Sequence, residues 1–143
     1  MKATAVVVAA VSGAALVLTA CGGGGASNPV ISGTEILTNT GVATGNVPCS
    51  GDYGAATFED LGTGSVVGVT DQNGSLIGSG KLGAGTSSTA NGGECVWRFK
   101  VTVPATATSY NIQVGQRDPV TFSQTDLAAN KWAATLTVDG SNG

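Results

Sequence analysis

The chain has 143 residues, of which 10% are charged and 5% aromatic, and it contains 23 glycines, a composition with room for one small domain and a tail. Its net charge of −3 and its lack of a run of basic residues argue against nucleic acid as a partner. Because it has no histidine, it also lacks the most common general base and metal ligand, and we expect no metal and no cofactor.

Residues 1–20 have the layout of a secretory signal: Lys2, then an apolar segment, then "LTA" directly before Cys21. An apolar, alanine-rich run predicts a helix over residues 4–19 that is separate from the domain. The residues Leu18-Thr19-Ala20-Cys21 resemble a bacterial lipobox, which implies cleavage before Cys21 and a diacylglycerol on its thiol. Ordinary cleavage after Ala20 is disfavoured because Leu18 is bulky. An uncleaved membrane helix is the remaining alternative.

Residues 21–48 are interpreted as the lipidated Cys21 and a flexible tether. Four glycines follow the cysteine, and the rest of the segment is rich in Ser, Thr, Asn and Gly. Its apolar stretches, "VISG" and "EIL", are too short and isolated to predict strands. The lipid anchor makes the membrane a partner and places the protein outside the cytoplasm.

From Cys49 onward the apolar residues recur with a period of two, which is typical of strands with one buried face. The clearest case is "CVWRFKVTV" (95–103), which places Cys95, Trp97 and Phe99 on one face and Arg98 and Lys100 on the other. Further strands are predicted at 110–114, 132–138, 53–58, 65–70, 76–82 and 120–122.

Two local signals join these strands. "DQNGS" (71–75) contains Asn-Gly, a strong hairpin signal, and Ser123 with Asp126 predicts one capped helical turn near 124–129. We therefore predict an all-β protein, an antiparallel β-sandwich of about seven strands of the Ig-like or prealbumin-like type. The domain is predicted to span 49–139, with a disordered tail at 140–143.

Two resemblances accompany this interpretation. "VGVTDQNGSLIGSGKL" (67–82) resembles the strand-turn-strand opening of transthyretin-like, prealbumin-type sandwich modules. The order of lipobox, glycine-rich segment, cysteine-bracketed β domain and "YNIQVGQRDPVTFSQTDLAANKW" looks like small secreted or lipid-anchored proteins of actinobacteria. This second resemblance implies export and brings no catalytic residues with it.

If Cys21 is lipidated, Cys49 and Cys95 remain as an even pair in an oxidising compartment, which favours a disulfide. The predicted Cα–Cα distance is about 4.4–6.8 Å. A redox-active pair is the alternative, but the sequence contains no Cys-x-x-Cys motif.

Few other residues suggest a site. The adjacent Glu59 and Asp60 could serve a glycosidase, although a solvated turn pair explains them more simply. Trp97 and Trp132 could stack on sugars, but both lie on the inward side of their strands. Arg117, in a predicted loop, is a candidate ligand contact, with ion pairing to Asp118 or another acid as the simpler explanation.

We therefore expect a lipid-anchored, non-catalytic surface module that binds a protein or glycan partner. A structural or antigen-like surface protein without a dedicated ligand is the second interpretation. A small envelope enzyme is the third, and the lack of histidine and of paired carboxylates counts against it.

Overall fold

The computed structural model describes residues 27–40, 49, 58, 60–90 and 93–140. Within this part, two four-stranded sheets and one short helix confirm the predicted all-β sandwich. The elements are β1 (Val30–Thr38), β2 (Val66–Thr70), β3 (Leu76–Lys81), β4 (Thr86–Ser88), β5 (Glu94–Thr102), β6 (Ser109–Val114), β7 (Val120–Ser123), α1 (Gln124–Ala129) and β8 (Ala133–Asp139). Sheet A has the order β4-β5-β1-β8, and sheet B has the order β3-β2-β6-β7.

Three predictions fall wholly or mainly outside the described residues. They are the separate helix over 4–19, the lipidated Cys21 and the strand over 53–58, of which only Phe58 is described. In the predicted tail 140–143 only Gly140 is described, and it lies against the carbonyl oxygen of Thr38.

β5 forms as its alternating sequence predicts. Cys95, Trp97 and Phe99 are buried, whereas Arg98 and Lys100 between them are exposed. On a strand, alternate side chains share a face, so this set forms the contribution of β5 to the inner layer of sheet A.

The predicted tether over 21–48 is wrong for residues 30–38, which form β1 at the centre of sheet A. This strand pairs antiparallel with β5 and parallel with β8 along most of its length. Its inward positions are Ile31, Gly33, Glu35 and Leu37. A glycine and a glutamate at alternate inward positions conceal the period of two in the sequence. Only eight residues, 22–29, therefore connect Cys21 to the first strand.

Gly33 is needed on the inner face because the Phe99 ring lies over it. The two residues are direct partners in the β1–β5 ladder, and a Cβ on Gly33 would overlap the Phe99 ring. The aromatic side chain of one strand thus fills the space that the glycine of its neighbour leaves.

The two sheets meet differently along the two sides of the sandwich. We call the side where β3 meets β5 the closed side, and the side of β7 and β8 the open side. On the closed side β3 packs directly on the backbone of β5, where a Cβ at Gly80 would lie 2.5 Å from the Lys100 carbonyl oxygen. On the open side, α1 joins β7 of sheet B to β8 of sheet A and inserts the fully buried Leu127. A cavity remains on the open side, beyond the part that α1 covers.

The local signals in the turns are confirmed. In the β2–β3 hairpin, Gly74 has a φ of +78° and its N–H donates to the carbonyl oxygen of Asp71. Ser123 caps α1 by accepting a hydrogen bond from the backbone N–H of Asp126 at 3.0 Å.

Candidate functional site

The two cysteines of the domain form the predicted disulfide. The Cα atoms of Cys49 and Cys95 are 5.5 Å apart, inside the predicted range. Cys95 is fully buried in β5, and Cys49 is 7% exposed. The bond therefore belongs to the core and ties Cys49 to the centre of sheet A.

The two tryptophans differ in their surroundings. Trp97 is fully buried, as predicted for a core residue, which leaves no ring face for a sugar. Trp132 is half-buried just before β8 and meets Tyr110 edge to face, with the ring centroids 5.5 Å apart. Its ring is thus engaged by the core at one side.

Arg117 pairs with Asp60 rather than protruding as a free loop residue. Its Nη2 donates to the Asp60 carboxylate at 2.7 Å, and its guanidinium carbon lies 4.6 Å from the centre of the Phe58 ring. Asp60 also accepts a hydrogen bond from the backbone N–H of Gln116. Asp60 is therefore part of a built cluster and is more than a solvated turn residue. Its neighbour Glu59 lies outside the described residues.

Glu35 could not be recognised as a candidate from the sequence alone. It lies in the middle of β1 with its side chain inside the sandwich, where it is 1% exposed. Its ladder partners are Trp97 on β5 and Leu136 on β8, both buried and largely apolar. Its Oε2 atom is buried and has no hydrogen-bond partner among the described residues. Such an atom costs stability, because burial removes the water that it would otherwise bind.

The surroundings of Glu35 shift its ionisation into the neutral range. Burial raises the pKa of its carboxyl from 4.5 to about 7, since a charged group is poorly solvated there. The positive charge of Arg117 opposes this rise in pKa, and the negative charge of Asp60 adds to it. At neutral pH the carboxyl therefore exists in both protonated and ionised forms.

Glu35 and Arg117 both line a cavity of about 220 Å³ on the open side of the sandwich. The other lining residues come from β6, β7, β8 and the loop after β6: Val114, Asp118, Val120, Leu136, Thr137 and Val138. Four of these six are apolar. The cavity thus combines a mainly apolar wall with the buried carboxyl of Glu35, the carboxyl of Asp118 and the guanidinium of Arg117.

The Asp71 side chain is engaged by the turn of the β2–β3 hairpin. Its carboxylate accepts hydrogen bonds from the backbone N–H groups of Ser75 and Asn73, and these lower its pKa. In the described part of the chain, no three Asp, Glu, Cys or His side chains are grouped so that they could hold a metal ion.

The chain has no match among protein-family models, curated proteins or solved structures. None of the helices within the described residues has the length and apolar character needed to cross a bilayer.

Proposed function

We propose that this protein is a lipid-anchored extracytoplasmic binding module that takes a small ligand in the Glu35 cavity. The lipobox-like residues before Cys21 support the anchor. The Cys49–Cys95 disulfide supports an oxidising compartment, since such bonds are rare in the cytosol of most organisms.

One observation carries the binding proposal: the unpartnered, buried Oε2 of Glu35 beside a cavity with a mainly apolar wall. A ligand that places a hydrogen-bond donor on this atom would replace the missing partner. The apolar residues Val114, Leu136 and Val138 would contact its remaining surface. The chemistry therefore favours a small apolar body that carries an amine or a hydroxyl group. Its volume must be modest, because the cavity is smaller than a typical drug-sized pocket.

The anchor is tested by the Cys21→Ser variant expressed in a bacterium that lipidates exported proteins. Loss of the thiol removes the site of the diacylglycerol, so we expect the variant to leave the membrane fraction or to accumulate unprocessed. Fractionation and the intact mass of the protein measure this. A variant that still partitions fully with membranes would support the uncleaved-helix interpretation and contradict the lipid anchor.

The cavity is tested with three six-membered-ring probes: cyclohexylamine, cyclohexanol and methylcyclohexane. Binding is followed by NMR chemical-shift changes at β1 and β8. We expect the amine and the alcohol to bind and the hydrocarbon to bind at least tenfold more weakly, because a hydrogen bond to a charged group is worth about 1.5–3 kcal/mol. Amine binding should strengthen as the pH rises through 7, since Glu35 then ionises.

Two variants are compared. Glu35→Leu removes the hydrogen-bond acceptor. Glu94→Gln is the control, because Glu94, the first residue of β5, is not among the residues that line the cavity. Glu35→Leu should abolish the preference for the polar probes, and Glu94→Gln should retain it. If all three probes fail to bind the wild-type protein, or if Glu35→Leu binds them equally well, the cavity is not the binding site. The structural surface protein without a ligand then becomes the better interpretation.

A further inference from the structure

A second feature lies on the outer face of sheet A, away from the Glu35 cavity. Three exposed basic residues, Lys81, Arg98 and Lys100, line one open groove of about 350 Å³ together with Ser32 and Thr34. They are half of the six basic residues in the whole chain, whose net charge is negative. The groove is formed by β1, β5 and the end of β3, so its basic residues do not form a continuous run in the sequence.

The charges on this outer face are separated along the strands. The acidic residues at outward positions of sheet A, Glu94 and Asp139, lie at the end where β1 finishes, because Asp139 pairs with Thr38 and Glu94 begins β5. Arg98 and Lys100 pair with Thr34 and Ser32, near the start of β1. Lys100 and Glu94 are six residues apart on one strand, or about 20 Å. None of the three basic residues of the groove forms an ion pair within the described part of the chain.

The start of β1 is also where the chain arrives from Cys21. However they are arranged, the eight residues 22–29 span at most about 28 Å, which is roughly the length of β1 itself. Ser32 and Thr34 follow Val30 by two and four positions, so the β1 side of the groove lies within about 14 Å of that point. A lipid on Cys21 would therefore hold the cationic groove within reach of the bilayer headgroups.

We infer that the groove of Lys81, Arg98 and Lys100 binds an anionic lipid surface, so that the outer face of sheet A is the side of the sandwich that contacts the lipid. This inference rests on the proposed lipid anchor, since the short connection is what restricts the sandwich to the membrane surface. Anionic headgroups would supply the negative charges that the groove lacks, and the hydroxyls of Ser32 and Thr34 can donate hydrogen bonds to phosphate oxygens. Because Glu94 and Asp139 lie at the other end of the same face, the docked face must tilt so that the start of β1 is closest to the lipid.

The test measures headgroup binding without the anchor, so that it does not depend on lipidation. It uses residues 21–143 with Cys21→Ser, because every buried apolar side chain of the described core lies between Ile31 and Leu136. Circular dichroism and the intact disulfide verify folding. Cosedimentation at low salt compares vesicles of phosphatidylcholine alone with vesicles that also contain phosphatidylglycerol. A basic group near an anionic surface contributes about fivefold to binding, so we expect about a hundredfold preference for the anionic vesicles.

Two variants locate the binding. Lys100→Gln should lose about fivefold, whereas Lys131→Gln, with the same change outside the groove lining, should lose much less. The triple variant Lys81→Gln, Arg98→Gln, Lys100→Gln should lose most of the preference, and salt should do the same to the wild type. Equal binding to both vesicle types, or equal losses in the two single variants, would overturn the inference. Stronger binding to heparin than to the anionic vesicles would assign the groove to a glycan instead.

Failure of the anchor and failure of the groove give different results. If Cys21 carries no lipid, the intact mass of the native protein shows it, and the vesicle result with the Ser variant is unchanged. If the groove does not bind headgroups, the native protein still fractionates with membranes and the vesicle preference is absent.

Discussion

Removal of the Cys49–Cys95 disulfide is expected to lower the free energy of unfolding by about 4 kcal/mol. The bond joins residues separated by 46 positions, and closing a loop of this length reduces the entropy of the unfolded chain by about that amount at 25 °C. For a domain whose total stability is of the order of 5–15 kcal/mol, this is a large share. The effect should be greatest near Cys49, which the bond holds against the core strand β5.

The measurement compares urea unfolding of the oxidised protein with that of the same protein reduced, both in the Cys21→Ser background so that no third thiol exchanges. Reduction without substitution leaves the core volume unchanged and isolates the cross-link. The double variant Cys49→Ala, Cys95→Ala should lose somewhat more, since Cys95 is fully buried and its truncation opens a small cavity. Equal urea midpoints for the oxidised and reduced proteins would contradict the prediction.

The sandwich could be predicted from the sequence wherever the alternation was strong. β5 carries an unbroken apolar set on its inward face, and the hairpin and helix cap depend on local contacts of Asp71, Gly74 and Ser123. Period-two patterns and short-range caps are properties of a few neighbouring residues, so the sequence displays them directly.

β1 and the candidate site could not be predicted in the same way. The inward face of β1 contains Gly33, whose place is filled by Phe99 from another strand, and Glu35, whose apolar neighbours come from β5 and β8. Each is explained only by a residue distant in sequence. The nine-residue stretch "VISGTEILT", rich in Val, Ile and Thr, was the one available signal for a strand at this position.

The role of Arg117 could be predicted from the sequence only in part. The sequence indicates a candidate ligand contact or a partner for a nearby acid, and the structure pairs Arg117 with Asp60, 57 residues away. The fold also places Arg117 in the lining of the Glu35 cavity, which the sequence did not indicate.

The second large effect concerns pH: we expect stability to fall by about 3 kcal/mol as the pH rises from about 4.5 to above 7. The folded protein holds the Glu35 proton with a pKa of about 7, whereas the ordinary value is 4.5. Between these values the folded state binds more protons than the unfolded state, so raising the pH favours unfolding. The full contribution is present below about pH 4.5 and is lost as the pH passes through 7.

Few other groups obscure this window. The chain contains no histidine. The pKa of Asp71 is lowered from its ordinary value of 3.8, so the ionised Asp71 stabilises the folded protein above that pH, and this stabilisation is lost only in stronger acid. Urea unfolding of the wild type between pH 4.5 and 8, compared with Glu35→Gln, measures the effect. The amide does not titrate, so this variant should give a nearly flat profile, while Glu94→Gln should retain the slope. A flat wild-type profile would contradict the prediction.

The same profile connects stability with the proposed ligand. Above pH 7 the ionised Glu35 carboxylate faces the cavity without a hydrogen-bond partner on Oε2. An amine placed there would donate the hydrogen bond that Oε2 lacks. A ligand that binds only the folded state stabilises it in proportion to the logarithm of its saturation. Saturating cyclohexylamine should therefore raise the free energy of unfolding at pH 8 and leave it nearly unchanged at pH 4.5. Equal stabilisation at both pH values would contradict binding of the amine to the Glu35 carboxyl, because that interaction requires the ionised form of Glu35.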